Sequence, residues 1–374
     1  MTPAGLFGIE NKVPDLIAVE ERTIGLAFDS HERTTEILIG ERNLRVFFPA
    51  IREIRRRCGQ QDDLTTDPRY FIAANTLNRR VAAVLIRLDH EPEACVLFFE
   101  HCKFGIGLGV MRGGGLAGEN CVAGPKAFRL HYIKLAAEAL LRRRWIHGVS
   151  ISLRADLDAC LEAIGPQSRY RIFSVRNIQY KLPLESTYGA TLAGMGPRTR
   201  RSLAGKRRQL EGREHVAFLP SLDPAEALEA MLKLQKRSLA KRTTAFYRAR
   251  YRLLLEDPNF FCMGLRLPDG TWLSVLSGYR GNTATYIDLQ MNDMYFKQES
   301  ISAVMRAFML EHEIARKREF IHFIGGTSLL LGRYCEPNET CIDVLLRQPC
   351  FRAMVTSLMI PRLKPKSFYT FVKI

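Results

Sequence analysis

TWLSVLSGYRGNTATYIDLQM, residues 271–291, spells strand, tight turn, strand. The first run is rich in β-branched and aromatic residues and stops at Gly281-Asn282, a pair predicted to supply a positive-φ hairpin turn. The returning run alternates, which predicts Ile287, Leu289 and Met291 on one face and Tyr286, Asp288 and Gln290 on the other. Residues 299–319 then carry Ile301, Val304, Met305, Phe308 and Met309 at helical spacing. Ser300 stands where an N-cap belongs, and Arg316, Lys317 and Arg318 where a helix C-terminus favours cations. FIHFI, residues 320–324, reads as a short buried strand closed by Gly325-Gly326; His322 shares a face with Phe320 and Ile324, so it is buried with them if those two are core, and a satisfied core histidine is favoured over a catalytic one. A helix that follows a strand offers unpaired first-turn N–H groups to phosphate. The polar strand face beside it can hold an acid, a base or an oxyanion donor, or can simply face water.

Outward from this stretch, the first half repeats the order. VAAVLIRL (81–88) and EACVLFF (93–99) are apolar strands, and FGIGLGVMRGGGLAG (104–118) is a glycine-rich connection. Its Gly105-Ile106-Gly107 start is no dinucleotide fingerprint, because Val110 fills the last glycine position and the next helix begins near Pro125. Those glycines instead let another backbone approach. A helix over 125–144 ending in Arg142, Arg143 and Arg144 leads into a strand over 146–153, and a further strand over 171–184 leaves this half. The same order twice predicts a structural duplication, with one domain over 1–185 and a second over 186–374. Earlier, 46–58 reads as a helix whose Arg52, Arg55, Arg56 and Arg57 form either a phosphate contact or a solvated face. Asp67-Pro68 opens another, with Tyr70 and Phe71 buried.

Across 374 residues the formal charge is +16, which favours a polyanionic partner: nucleic acid, an anionic surface or a phosphate-bearing cosubstrate. The nine cysteines form no CxxC pair and no Cys/His ligand spacing, so no metal site is expected and the thiols are read as reduced. With neither a basic leader nor about 20 consecutive apolar residues, the expectation is a cytoplasmic protein without a transmembrane segment.

GPRTRRSLAGKRRQLEGRE, residues 196–214, lies between the halves. Arg198, Arg200, Arg201, Lys206, Arg207 and Arg208 make it a candidate polyanion grip, with a solvated connecting helix as the plain alternative. Its first part resembles the arginine-rich helix that opens the second half of GNAT-fold acyltransferases in the cellulose-biosynthesis and Fem-type branch. GGGLAGENCVAGP, residues 113–125, resembles the Gly-Gly, acidic, Pro pattern of their first domain, and the 271–326 order matches their second. The resemblance implies an α/β chain of two tandem GNAT-like domains, each a mixed, mostly antiparallel sheet flanked by helices, the first a degenerate copy.

It also implies transfer of an acyl or aminoacyl group from a thioester or tRNA ester to an amine or hydroxyl. Asp288 would be the base or amine-orienting group, Tyr286 or Tyr334 the proton donor and Gln290 a positioning group. Lys297, Ser300, Ile301 and Arg333 would lie along the donor. The sequence departs from ordinary acetyltransferases in lacking the (Q/R)xxGx(G/A) loop before Ser300, where MNDMYFKQES stands instead, and Arg333 is the nearest cation to the last glycine-rich strand end. The cosubstrate classes left open are a longer acyl-CoA, an acyl carrier protein and an aminoacyl-tRNA. Two further readings stand beside the enzyme: a non-catalytic RNA- or polyanion-binding protein on this scaffold, and a scaffold or regulator in envelope polysaccharide synthesis.

Overall fold

The computed structural model describes residues 33–61, 63, 66–74, 79–103, 106–113, 121–153, 171–238, 244–296, 300–323, 335–348, 350 and 370–371. The first repeat opens with β1 (Arg33–Ile39), α1 (Glu41–Val46), α2 (Phe48–Arg57) and α3 (Pro68–Ala74). β2 (Arg79–Leu88), β3 (Glu91–Lys103), β4 (Ile106–Gly113), β5 (Cys121–Ala123), α4 (Arg129–Leu141) and β6 (Gly148–Leu153) follow, and β7 (Arg171–Pro183) leaves the half. Two helices lead into the second repeat, α5 (Tyr188–Ala193) and α6 (Pro197–Glu214). That repeat runs β8 (Ala217–Leu219), α7 (Pro224–Gln235), α8 (Thr244–Glu256), β9 (Phe260–Arg266), β10 (Trp272–Arg280), β11 (Ala284–Asn292), α9 (Ile301–Ala315) and β12 (Phe320–Phe323). β13 (Glu336–Arg347) and β14 (Thr370–Phe371) complete the described chain.

All strands join one sheet, ordered β1-β2-β3-β4-β6-β13-β7-β12-β11-β10-β9-β8, with β5 on β3 and β14 on β7. Its two wings mirror each other. Each has one parallel contact, β4 with β6 and β11 with β12, and is otherwise antiparallel. At the centre the halves exchange strands: β13, from the end of the chain, pairs with β6, and β7, from the first repeat, pairs with β12. β7 and β13 run antiparallel from Lys181↔Glu336 to Arg171↔Arg347. The duplication is therefore present as two repeats of the same strand order, and Arg33–Ile374 forms one compact unit because each repeat borrows its inner strand from the other.

Helices cover both faces, which is why β2 reads as a nearly continuous apolar run. Val84 and Ile86 pack under α4, whereas Val81, Ala83 and Leu85 pack under α1–α3. In the second repeat Ile301, Val304, Met305 and Met309 of α9, with Leu203 and Leu210 of α6, form one core. Ala227, Met231 and Leu234 of α7, with Tyr247 of α8, form the other.

Arg55 differs from its reading as a surface or phosphate-binding cation: it is 5% exposed. It donates to Thr66 Oγ1, Asp67 Oδ2 and the carbonyls of Gln61 and Asp63, so it holds the α2–α3 connection together. Arg69 links the same Asp67 to Asp257 at the end of α8, fastening one repeat to the other. Burial acts to raise the Asp67 pKa, but the bond from Arg69 and the charges of Arg55 and Arg69 outweigh it and hold the carboxyl below its usual range. Of the β4 glycines, Gly109 (φ 69°) lies against the Trp145 carbonyl, the close backbone approach expected, whereas a Cβ on Gly107 would strike a side chain, the Glu100 carboxylate. Among the described residues no helix is long and apolar enough to cross a membrane, and no group of three His, Cys, Asp or Glu could hold a metal.

Candidate active site

β10 and β11 form the expected hairpin, but neither Gly281 nor Asn282 has positive φ; the turn closes with the Gly281 N–H donating to the Ala284 carbonyl. The larger departure lies further along. Ser277 pairs with Leu289 and Gly278 with Ile287, so Asp288 is an extra residue in β11, a bulge. Gly278 permits it, because a Cβ there would collide with the Tyr286 carbonyl oxygen and lie 3.2 Å from the Ile287 Cα. One inserted residue shifts the face of everything beyond it. Ile287 packs toward α9, whereas Leu289 and Met291 pack toward α7 and α8. The predicted single face of Ile287, Leu289 and Met291 is therefore split, and Gln290 comes to face α9 instead of sharing a side with Tyr286 and Asp288.

The bulge sits just past the last described pair between β11 and β12. β11 pairs with parallel β12 from Ala284↔Phe320 to Ile287↔Phe323, and beyond Ile287 that edge of β11 has no strand partner among the described residues. Asp288 is half-buried as a residue while its side chain is only 2% exposed, so the surface it shows is main chain. Its carboxylate is enclosed on the α8 side, bonded by Arg250 Nη2 and, at 2.9 Å, by Ser277 Oγ. That placement does not suit the base expected at 288: a carboxylate under packed side chains, engaged by a guanidinium, cannot meet a substrate amine without breaking the pair. What it can do is fix the bulge, since it ties β11 to both β10 and α8.

Gln290 fixes the other side. Its Nε2 donates to the Ser302 carbonyl at 3.1 Å, and its Oε1 accepts from Arg306 Nε at 3.0 Å, which joins the parted edge to the first turns of α9. Lower on that helix, Glu313 is fully buried and accepts from Arg280 and Thr285, locking α9 against the hairpin. Ser300 is the residue before α9, yet its hydroxyl caps nothing: it lies in the left-handed region (φ 55°, ψ 45°) and makes no side-chain cap bond. A non-glycine residue held there is strained by about 1–2 kcal/mol, and among the described residues no side chain caps the Ile301 amide, the arrangement that suits an anion.

Tyr286, half-buried, stacks on His322 with centroids 4.9 Å apart and planes 11° apart. His322 is thus not the core residue expected: Ile321 is buried under α9, and Phe320 and His322 point to the opposite face, half-exposed. Lys297, Arg333 and Tyr334 lie outside the described residues.

On α6, Arg198, Arg200, Arg201 and Arg208 are exposed, and the first three form no ion pair among the described residues. Lys206 bonds Gln209. Arg207 belongs to the fold: it bridges Glu211 and Glu311 and lies over the Phe308 ring at 4.2 Å, pinning α6 to α9. The residues that sequence reasoning missed are Gly278, Ser277 and Arg250. A glycine inside a strand, where it has no side chain to pack, was the available signal for the first. Nothing local marks the other two.

No family model matches the sequence, and no curated protein matches it in sequence. Solved structures do match. FemX aligns with a TM-score of 0.52 at 11% identity, over 75% of this chain and 92% of that one. L-PGS from Bacillus licheniformis aligns at 0.51 and 12%, over 85% and 97%. The C-terminal domain of a putative lysylphosphatidylglycerol synthetase from Agrobacterium fabrum aligns at 0.51 and 10%, over 87% and 99%. With two mirrored repeats sharing one sheet and these structures as its neighbours, the chain has the fold of FemX and L-PGS.

Proposed function

We propose that this chain is a GNAT-type acyltransferase, moving an acyl or aminoacyl group from a thioester or tRNA ester to an amine or hydroxyl. The observation that carries the reading is the bulge of β11 just past its last described pairing with β12, an opening of exposed main chain beside the start of α9, whose first turn no described side chain caps. An acyl carbonyl laid across that opening can receive a strand N–H, and such a donor is worth most where charge develops on the carbonyl oxygen. Phosphate of the donor, whether acyl-CoA, carrier-protein arm or tRNA terminus, fits the amides around Ile301. The incoming amine or hydroxyl attacks the carbonyl carbon and loses its proton, while the departing thiolate or ribose oxygen gains one. Tyr286 is the described phenol at the edge of the opening, and Tyr334 the other donor this reading retains. Asp288 and Gln290 act by position, holding the bulge and the start of α9.

Mass spectrometry of the purified chain, together with melting curves in CoA and with charged tRNA, tests this. A co-purifying CoA thioester or tRNA, or a rise in melting temperature with either, is the expected result. If neither co-purifies and neither raises the melting temperature, the transferase reading fails.

The exposed cations of α6 favour a second reading, polyanion binding without catalysis. Changing Arg198, Arg200, Arg201 and Arg208 together to Gln should then reduce the log–log salt slope of single-stranded RNA affinity by about 3. An unchanged slope removes it.

A further inference from the structure

Among the described residues Tyr295 is the most open of the large apolar side chains, 80% exposed. It stands in a single turn, Met294–Phe296, on the connection from β11 to α9. That turn is fastened from beneath. Asp293, whose side chain is 1% exposed, accepts from the Tyr295 N–H at 2.9 Å and from Arg237 Nη1 at 3.2 Å. The Met294 N–H donates to the Arg237 carbonyl at 3.1 Å. So placed, the Arg237 guanidinium lies over the Tyr295 ring, 5.4 Å from its centroid. A buried carboxylate and a cation thus back one face of an aromatic ring and leave the other to solvent, which is how a base-stacking platform is built. Its place fits that use: Tyr295 precedes Ser300 by five residues, beside the start of α9 where the transferase reading puts the donor's phosphates. We propose that the open face of Tyr295 stacks the adenine of the acyl donor, with the Arg237 charge beside the phosphates that adjoin the base. The proposal rests on the transferase reading and narrows its donor. A carrier-protein arm has no base and drops out. Between the two adenine-bearing donors the span decides. From the bulge at Asp288 to Asn292, β11 runs four residues, about 13 Å at the rise of a strand. A tRNA terminus carries its acyl group on the ribose of the same adenosine, too short a link to cover that length. In CoA the base stands at the far end of pantetheine and pyrophosphate, so the span favours CoA.

The test is calorimetric titration of the full chain with adenosine 3′,5′-bisphosphate, the base end of CoA, and with a C-C-A trinucleotide, the end of tRNA. Tyr295→Ala should weaken the bisphosphate by about 5- to 150-fold, the worth of one base on an aromatic ring. Tyr295→Phe should bind it as the wild type does, because the ring and not the hydroxyl makes the contact. Pantetheine, which has no base, should show no dependence on residue 295. The side chain is exposed, so an unchanged melting temperature in both variants separates lost stacking from misfolding. An Ala variant that binds the bisphosphate like the wild type, a Phe variant that loses as much as Ala, or a wild type that binds neither probe overturns the proposal. Dependence on Tyr295 for the trinucleotide alone overturns the assignment to CoA. Melting curves with CoA and charged tRNA are read independently. Bisphosphate bound through Tyr295 with no response to either donor keeps the platform and removes the transferase reading, and a CoA response that Tyr295→Ala leaves unchanged does the reverse.

Discussion

Gly278→Ala and Gly205→Ala make the same chemical change and should move stability in opposite directions. At Gly278 the added methyl meets the Tyr286 carbonyl oxygen, with the carbonyl carbon at 3.0 Å and the Ile287 Cα at 3.2 Å. All three are backbone atoms of the paired strand, so no rotamer change relieves the contact. Either β10 and β11 separate or the bulge is lost, and overpacking of this kind costs about 1–3 kcal/mol. For a chain of this size, at about 2–4 °C per kcal/mol, the melting temperature should fall by roughly 2–12 °C. Gly205 lies inside α6, with nothing within 4 Å of the position a Cβ would take. There, Ala restricts the unfolded chain and should stabilise by about 0.4–1 kcal/mol. Differential scanning calorimetry measures both shifts, and amide hydrogen exchange over 284–292 shows whether the loss is local to β11. A Gly278→Ala protein that melts with the wild type and keeps its exchange pattern would refute the bulge, and with it the placement of the open main chain.

Three further outcomes follow from named contacts. Asp288→Asn should destabilise by about 3–5 kcal/mol by leaving Arg250 buried without its counter-ion, whereas Arg250→Met with Asp288→Leu should recover most of that in urea unfolding; an Asn variant of wild-type stability would contradict the enclosed pair. Asp67 titrates below its ordinary value of 3.8, so its contribution is complete above the unfolded pKa and lost as pH falls through the folded one. Melting temperature should hold from pH 7 to about 5 and then drop toward pH 2, less steeply in Asp67→Asn; parallel wild-type and variant curves would remove Asp67 as a source. Residues 33–183 and 186–374 expressed separately should not melt cooperatively, because each lacks the strand beside β6 or β12, yet should recover a cooperative transition when mixed; a cooperative melt from either piece alone would show that the exchange is dispensable.

The sequence by itself determined the kinds of element and their order. Hydrophobic period and turn residues marked the hairpin, a helix within 299–319 and the strands flanking each glycine-rich stretch, and the repeated order announced the duplication. Four things were decided only in three dimensions. The face of Gln290 follows from one inserted residue at 288, which a period-two reading cannot see because the insertion depends on Gly278 packing against a carbonyl of the neighbouring strand. Arg55 and Arg207 look like solvated charge, yet are anchored by partners that only chain folding brings near, Asp67 for one and Glu311 for the other. Asp288 reads as an open carboxylate until the bulge aims it at Arg250, 38 residues away. Strand exchange at the centre left no local trace, because nothing in the residues of β7 or β13 says which repeat each completes and only the closing of the sheet determines it.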